Sequence, residues 1–144
     1  LESFDKAPSR INVNYNFSLK NSLHPTDLAT GFKANSYPPK NNHWGSGILE
    51  SNWKTIIFIR NLNHSSNSNE AICNFEAFSN HENIKKNIIV KSESCNFLEI
   101  DFEDFEGNSG DYFSWKLTSS ETTLEVFWVS YNKLNGAICA EHSF

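Results

Sequence analysis

Apolar and polar residues alternate along much of this chain, the period-two signature of β-strands whose side chains point to opposite faces. Ile11 to Leu19 is the cleanest run: Ile11, Val13, Tyr15, Phe17 and Leu19 share one face, and Asn12, Asn14, Asn16 and Ser18 the other. Leu98, Ile100 and Phe102 alternate with Glu99, Asp101 and Glu103, and Phe113, Trp115 and Leu117 with Ser114, Lys116 and Thr118. Two segments break the alternation. Trp53 to Leu62 and Leu124 to Tyr131 are apolar on both faces, which marks central strands or strands under a second layer. The segments 97–105, 112–117 and 123–131 follow one another through short polar connections, so they read as a three-stranded meander.

The remaining chain is read from its turn residues. Residues 1–10 read as a flexible tail, and His24 to Ala29 as the start of a short helix with Pro25 in its first turn. Tyr37 to Gly47, with two prolines and two glycines, reads as a long loop carrying Tyr37, His43 and Trp44. Glu70 to Ser79 fits a strand with Cys73, Phe75 and Ala77 inward, and it also fits a helix with Ala71, Ile72, Phe75 and Phe78 in a stripe. Asn80 to Lys86 reads as a charged turn or a single helical turn, Asn87 to Val90 as a short strand, and Asn135-Gly136 as a type I′ hairpin turn before a last strand through Cys139. The expected fold is all-β, an antiparallel sandwich or barrel of about eight strands in one domain spanning residues 1–144. The competing fold is α+β, a curved sheet wrapping helices from residues 25–34 and 68–86.

Charge narrows the partners. The chain of 144 residues carries a net charge of −5, so nucleic acid and anionic membranes are not expected partners. Its apolar runs, such as Ile56 to Ile59, fall far short of the roughly 20 residues that span a bilayer as a helix. Cys73, Cys95 and Cys139 allow one disulfide in three possible pairings, with one thiol left over. Asn16-Phe17-Ser18 and Asn63-His64-Ser65 are glycosylation sequons, so Asn16 and Asn63 are candidate sites. There is no Met, which reads as a processed product. Together with possible disulfide chemistry, this makes secretion the expected compartment.

Candidate chemistry is sparse. Glu99, Asp101 and Glu103 stand about 7 Å apart along one strand face, either as a solvated face partnered by Lys116 or as a docking surface for a basic partner. The loop from Glu106 to Asp111 does not match a calcium-binding EF-hand. His24, His43, His64, His81 and His142 form no close ligand pair, Gly45-Ser46-Gly47 is not a nucleophile elbow, and no phosphate-binding glycine loop is present. No cofactor, metal or catalytic set is expected, and a hydrolase is kept as a lesser reading. Trp53, Trp115 and Trp128 read as core, whereas Trp44, with Tyr37 and His43, reads as a loop aromatic suited to stacking on a sugar or anchoring a protein.

Twenty Asn and no Gln, abundant Ser, short loops such as Asn63 to Asn69, no Met and an odd cysteine count give a composition that resembles the small secreted effectors of plant-pathogenic, rust-type fungi. Secreted viral decoys from AT-rich genomes look similar. The resemblance implies a non-enzymatic, secreted module, delivered outside or into a host cell, that binds host proteins. The expected function is therefore protein binding by a monomer, through Glu99, Asp101, Glu103, Tyr37 and Trp44. The alternative is a small-ligand or carbohydrate binder with an aromatic-lined cavity.

Overall fold

The two segments that are apolar on both faces, Trp53–Asn61 and Leu124–Asn132, lie side by side in the middle of one sheet. A computed structural model describes residues 11–18, 20, 26–32, 42–61, 70–105, 111–120 and 124–142. Among these run ten strands: β1 (Ile11–Phe17), β2 (Thr26–Phe32), β3 (Asn42–Leu49), β4 (Trp53–Asn61), β5 (Glu70–Phe78), β6 (Asn83–Lys91), β7 (Cys95–Asp101), β8 (Asp111–Ser119), β9 (Leu124–Asn132) and β10 (Ile138–His142). One sheet has the order β10-β9-β4-β7, a second the order β3-β8-β5-β6, and β1 pairs with β2 in a separate hairpin. Every pairing is antiparallel. The fold is thus a sandwich, with more strands than the eight expected.

The pairing is nested. β5 pairs with β6, β4 with β7 and β3 with β8, as if one long hairpin had been rolled over itself, the connectivity of a jelly roll. Nesting overturns the meander. β7 and β9 belong to the first sheet and β8 to the second, so three consecutive strands cross the core twice. The first crossing has a visible cause. The Asp104 carboxylate accepts the backbone N–H of Asp101 at 3.0 Å and ends β7. The 3₁₀ turn Phe102–Phe105 that follows buries Phe105 completely, with its ring 5.4 Å from Phe113 of β8.

Between the sheets the inward alternation holds. Ala71, Cys73, Phe75 and Ala77 of β5 face Ile57, Ile59 and Ile100 of the other sheet across a core that also takes Phe113, Trp115 and Leu117. The strand reading of Glu70 to Ser79 is therefore right, and β2, β5 and β6 stand where the helices of the α+β alternative were placed. The helix start at His24 to Ala29 is likewise replaced, from Thr26 onward, by β2. Asn80 to Lys86 turns only as far as Glu82, where Ser79 Oγ accepts the backbone N–H groups of His81 and Glu82, and β6 begins at Asn83.

The loop expected at residues 37–47 is strand from Asn42 onward. Gly45 and Gly47 misled because they are there for close approach: a Cβ at Gly45 would overlap the Trp115 indole, and one at Gly47 the Phe113 ring and Thr55 Oγ1. Two bulky rings of β8 thus lean across β3, and only glycine leaves them room. Nor is Asn135-Gly136 a two-residue type I′ turn, which needs positive φ at both central residues. Gly136 alone has it, at φ 72, and Asn132 Oδ1 organises a longer loop by accepting the N–H groups of Leu134 and Asn135.

No disulfide forms, and all three cysteines are free thiols. Cys73 lies buried on β5, while Cys95 and Cys139 lie on β7 and β10, the two opposite edges of the first sheet. Three strand spacings of about 4.8 Å separate those edges, far beyond the roughly 7 Å that a disulfide spans between Cα atoms.

Candidate functional site

The inward side chains of the two sheets form one core cluster, and the candidates described below lie on the outer surfaces. Inward positions of β4 and β9 feed the core, and their outward positions are apolar as well. The register aligns Phe127 of β9, Phe58 of β4 and Phe97 of β7 across the outer face of the first sheet. Phe58 and Phe127 stack with centroids 4.8 Å apart and 13° between planes, and Phe97 tilts against Phe58 at 6.4 Å. Phe17, at the end of β1, lies over the covered end of this row, 6.3 Å from Phe58 and 6.1 Å from Phe127. Phe127 is buried, whereas Phe97 at the sheet edge is 55% exposed. The row therefore runs from under β1 out into solvent. Beside it, Phe17 and Ser18 form an open apolar cleft of about 190 Å³ with Ile56, Phe58, Val129, Tyr131 and Ile138.

Ion pairs flank the row on both sides. On one side Lys54 Nζ lies 2.7 Å from Glu99 Oε2 and 3.8 Å from Asp101 Oδ2. On the other, Arg60 Nη1 lies 3.6 Å from Glu125 Oε2. The hydrogen bond to Glu99, aided by the Glu99 and Asp101 charges and partly opposed by desolvation, holds the Lys54 pKa above its usual value. The face thus has an apolar centre and a charged rim.

The expected acidic stripe is partly realised. Glu99 and Asp101 do share the outer face of β7, but their cation is Lys54 on β4, not Lys116, which lies in the other sheet. Glu103 is exposed on the 3₁₀ turn, beyond the end of the strand, so the stripe ends at two carboxylates. Trp44 is exposed as expected, but on β3, with Lys116 Nζ 5.1 Å from its ring centroid. His43 beside it points inward and is buried, so it is no companion to Trp44. Trp115 is core, and Trp128 and Trp53 are partly buried. Asn16 is exposed at the end of β1. Tyr37 and Asn63 lie outside the described residues.

Among the described residues no three His, Cys, Asp or Glu side chains gather as a metal site. Desolvation raises the pKa of all three thiols, against a lowering hydrogen bond from Ser119 at Cys73 and from the backbone of Ser130 at Cys139. Thiols so placed stay protonated at neutral pH and make poor nucleophiles.

The sequence missed the phenylalanine row, although two signals pointed to it. The both-sided apolarity of β4 and β9 required something on their outer face. Phe97 is in phase with Glu99 and Asp101, not with Leu98 and Ile100, so it had to point outward. No protein-family model, curated protein or solved structure matches the chain.

Proposed function

We propose that this chain is a non-catalytic module that binds another protein through the outer face of the β10-β9-β4-β7 sheet. One observation carries the reading: a stacked aromatic row ends in Phe97, 55% exposed, next to the carboxylates of Glu99 and Asp101. A large ring left half in water at a strand edge is a natural anchor, and truncating a hot-spot anchor costs about 2 kcal/mol or more in binding. Glu99 and Asp101 outnumber Lys54, and Glu103 is exposed nearby, so the complementary partner carries an apolar side chain beside Lys or Arg. The compositional resemblance to secreted effectors supports the same reading, with host proteins as partners and secretion as the compartment.

The test is selection of short peptides from a displayed random library on the folded chain, with binders then measured against Phe97→Ser. Binders that pair an apolar residue with Lys or Arg, and that lose at least tenfold in affinity on Phe97→Ser, are expected. Binders without basic enrichment, or indifferent to Phe97→Ser, would refute the assignment.

A further inference from the structure

The second sheet has its own outward face, and its chemistry is different. Antiparallel register sets Trp44 of β3 opposite Lys116 of β8, Ser46 opposite Ser114, and Ile48 opposite Tyr112. Trp44 and Tyr112 are 47% and 74% exposed. Four residues of strand, about 13 Å, separate their positions along the sheet. The two exposed serines between them form a low floor. The result is a shallow saddle with an aromatic at each end and hydroxyls in the middle.

We propose that this saddle binds an acidic oligosaccharide, a site separate from the protein-docking face. A pyranose ring has an apolar C–H face that stacks on an aromatic and a rim of hydroxyls that hydrogen-bonds to groups such as Ser46 and Ser114. Two platforms with a small polar floor suit successive rings of one chain. Charge selects an acidic sugar. Lys116 has no ion pair among the described residues, and its ammonium rests over the Trp44 ring. The outward positions of β3, β8, β5 and β6 hold three lysines, Lys85, Lys91 and Lys116, against two glutamates, Glu70 and Glu76. Lys85 lies 3.1 Å from Glu76 and Lys91 stands opposite Glu70, so Lys116 is the surplus cation of this face in a chain of net charge −5. A sugar carboxylate beside Trp44 would take a charge-assisted hydrogen bond from Lys116.

The platform is also held rigidly. Gly45 and Gly47, on the inward side of the same strand, let the Trp115 and Phe113 rings press against the β3 backbone. Trp44 and Ser46 are therefore carried by a strand clamped to the core, the kind of support a preorganised binding site needs.

A glycan array holding galacturonate, glucuronate and sialylated oligosaccharides, with their neutral counterparts, tests the site on the intact chain. The wild type is expected to bind at least one acidic glycan at least tenfold more tightly than its neutral counterpart. Trp44→Ala and Tyr112→Ala each reduce that binding tenfold or more, Lys116→Met removes the preference for acid, and Phe97→Ser changes nothing. Absence of acidic-glycan binding, equal binding of neutral counterparts, or binding that survives Trp44→Ala in a folded variant would each overturn the proposal. Because Phe97→Ser leaves this site intact, its failure and that of the protein-docking face are read separately.

Discussion

The two sheets are alike inside and different outside. Inward, both present mainly apolar residues at alternate positions, interrupted by buried polar groups such as Thr55, Asn61, Ser130 and His43, with Trp115, Phe113, Phe75 and Ile57 all but excluded from solvent. Outward, the β10-β9-β4-β7 sheet carries stacked phenylalanines partly roofed by Phe17, while the β3-β8-β5-β6 sheet carries Asn42, Asn74 and Asn87 beside exposed Trp44, Tyr112 and the cross-strand pair Ile72 and Ile89. The inner faces are constrained to one solution by the need to fill a shared core at close packing. The outer faces are under no such shared constraint, so they can diverge, and part of the first is covered by Phe17 of β1.

The contrast is broken most severely from the inside. Trp115→Ala empties a fully buried site and should cost about 3–5 kcal/mol, read as a large fall in the urea midpoint. Next comes the buried hydroxyl pair between Thr55 and Ser130, 2.7 Å apart, which ties β4 to β9. Thr55→Val strands the Ser130 hydroxyl and should cost about 1–3 kcal/mol, and adding Ser130→Ala should cost much less than the sum of the two single changes. A double-mutant cycle by chemical denaturation checks both.

The thiols give a pH-dependent effect of similar or smaller size. Desolvation raises the folded-state pKa of Cys73 above the ordinary 9.0. The unfolded chain therefore loses its proton first. The stabilisation is fully present below pH 9 and fades as pH rises through the folded value, by at most about 1.4 kcal/mol per pH unit for each thiol. Cys73→Ala should shallow that slope above pH 9 while shifting stability by a constant amount below it, as measured by denaturation at stepped pH.

Changes on the outer faces should be the mildest for stability. Lys54→Met removes a largely solvated pair with Glu99 and Asp101, worth about 0–1 kcal/mol. Phe97→Ser should move the melting temperature least of all. A loss of several kcal/mol on Phe97→Ser would make that ring a structural element and erase the distinction between the faces.

Much of this was legible in the sequence. Leu98 and Ile100, Phe113 to Leu117, and Cys73 to Ala77 fall inside as their period demands, and the two segments apolar on both faces, β4 and β9, are the central strands of their sheet. Sheet membership was not legible. Whether β8 pairs with β7 or with the distant β3, where Gly45 meets Trp115, depends on which nesting buries all the inward faces together. No local signal in the Glu106 to Asp111 connection reports that choice. Gly45 and Gly47 read as loop because their real partners, Trp115 and Phe113, are equally far along the chain. Of the candidate site, the outward phase of Phe97 was present in the sequence, whereas its ring contact with Phe58 required the β4–β7 register. The expected disulfide failed for the same reason: cysteine count says nothing about which edge each thiol reaches.

The most direct measurement is the affinity of one selected peptide for three forms of the folded chain: wild type, Phe97→Ser and Trp44→Ala. If the outer face of β10-β9-β4-β7 is the protein-docking surface, Phe97→Ser loses at least tenfold, about 1.4 kcal/mol, and Trp44→Ala binds as the wild type does. Equal losses in the two variants, or none in Phe97→Ser, would contradict the assignment of separate roles to the two faces.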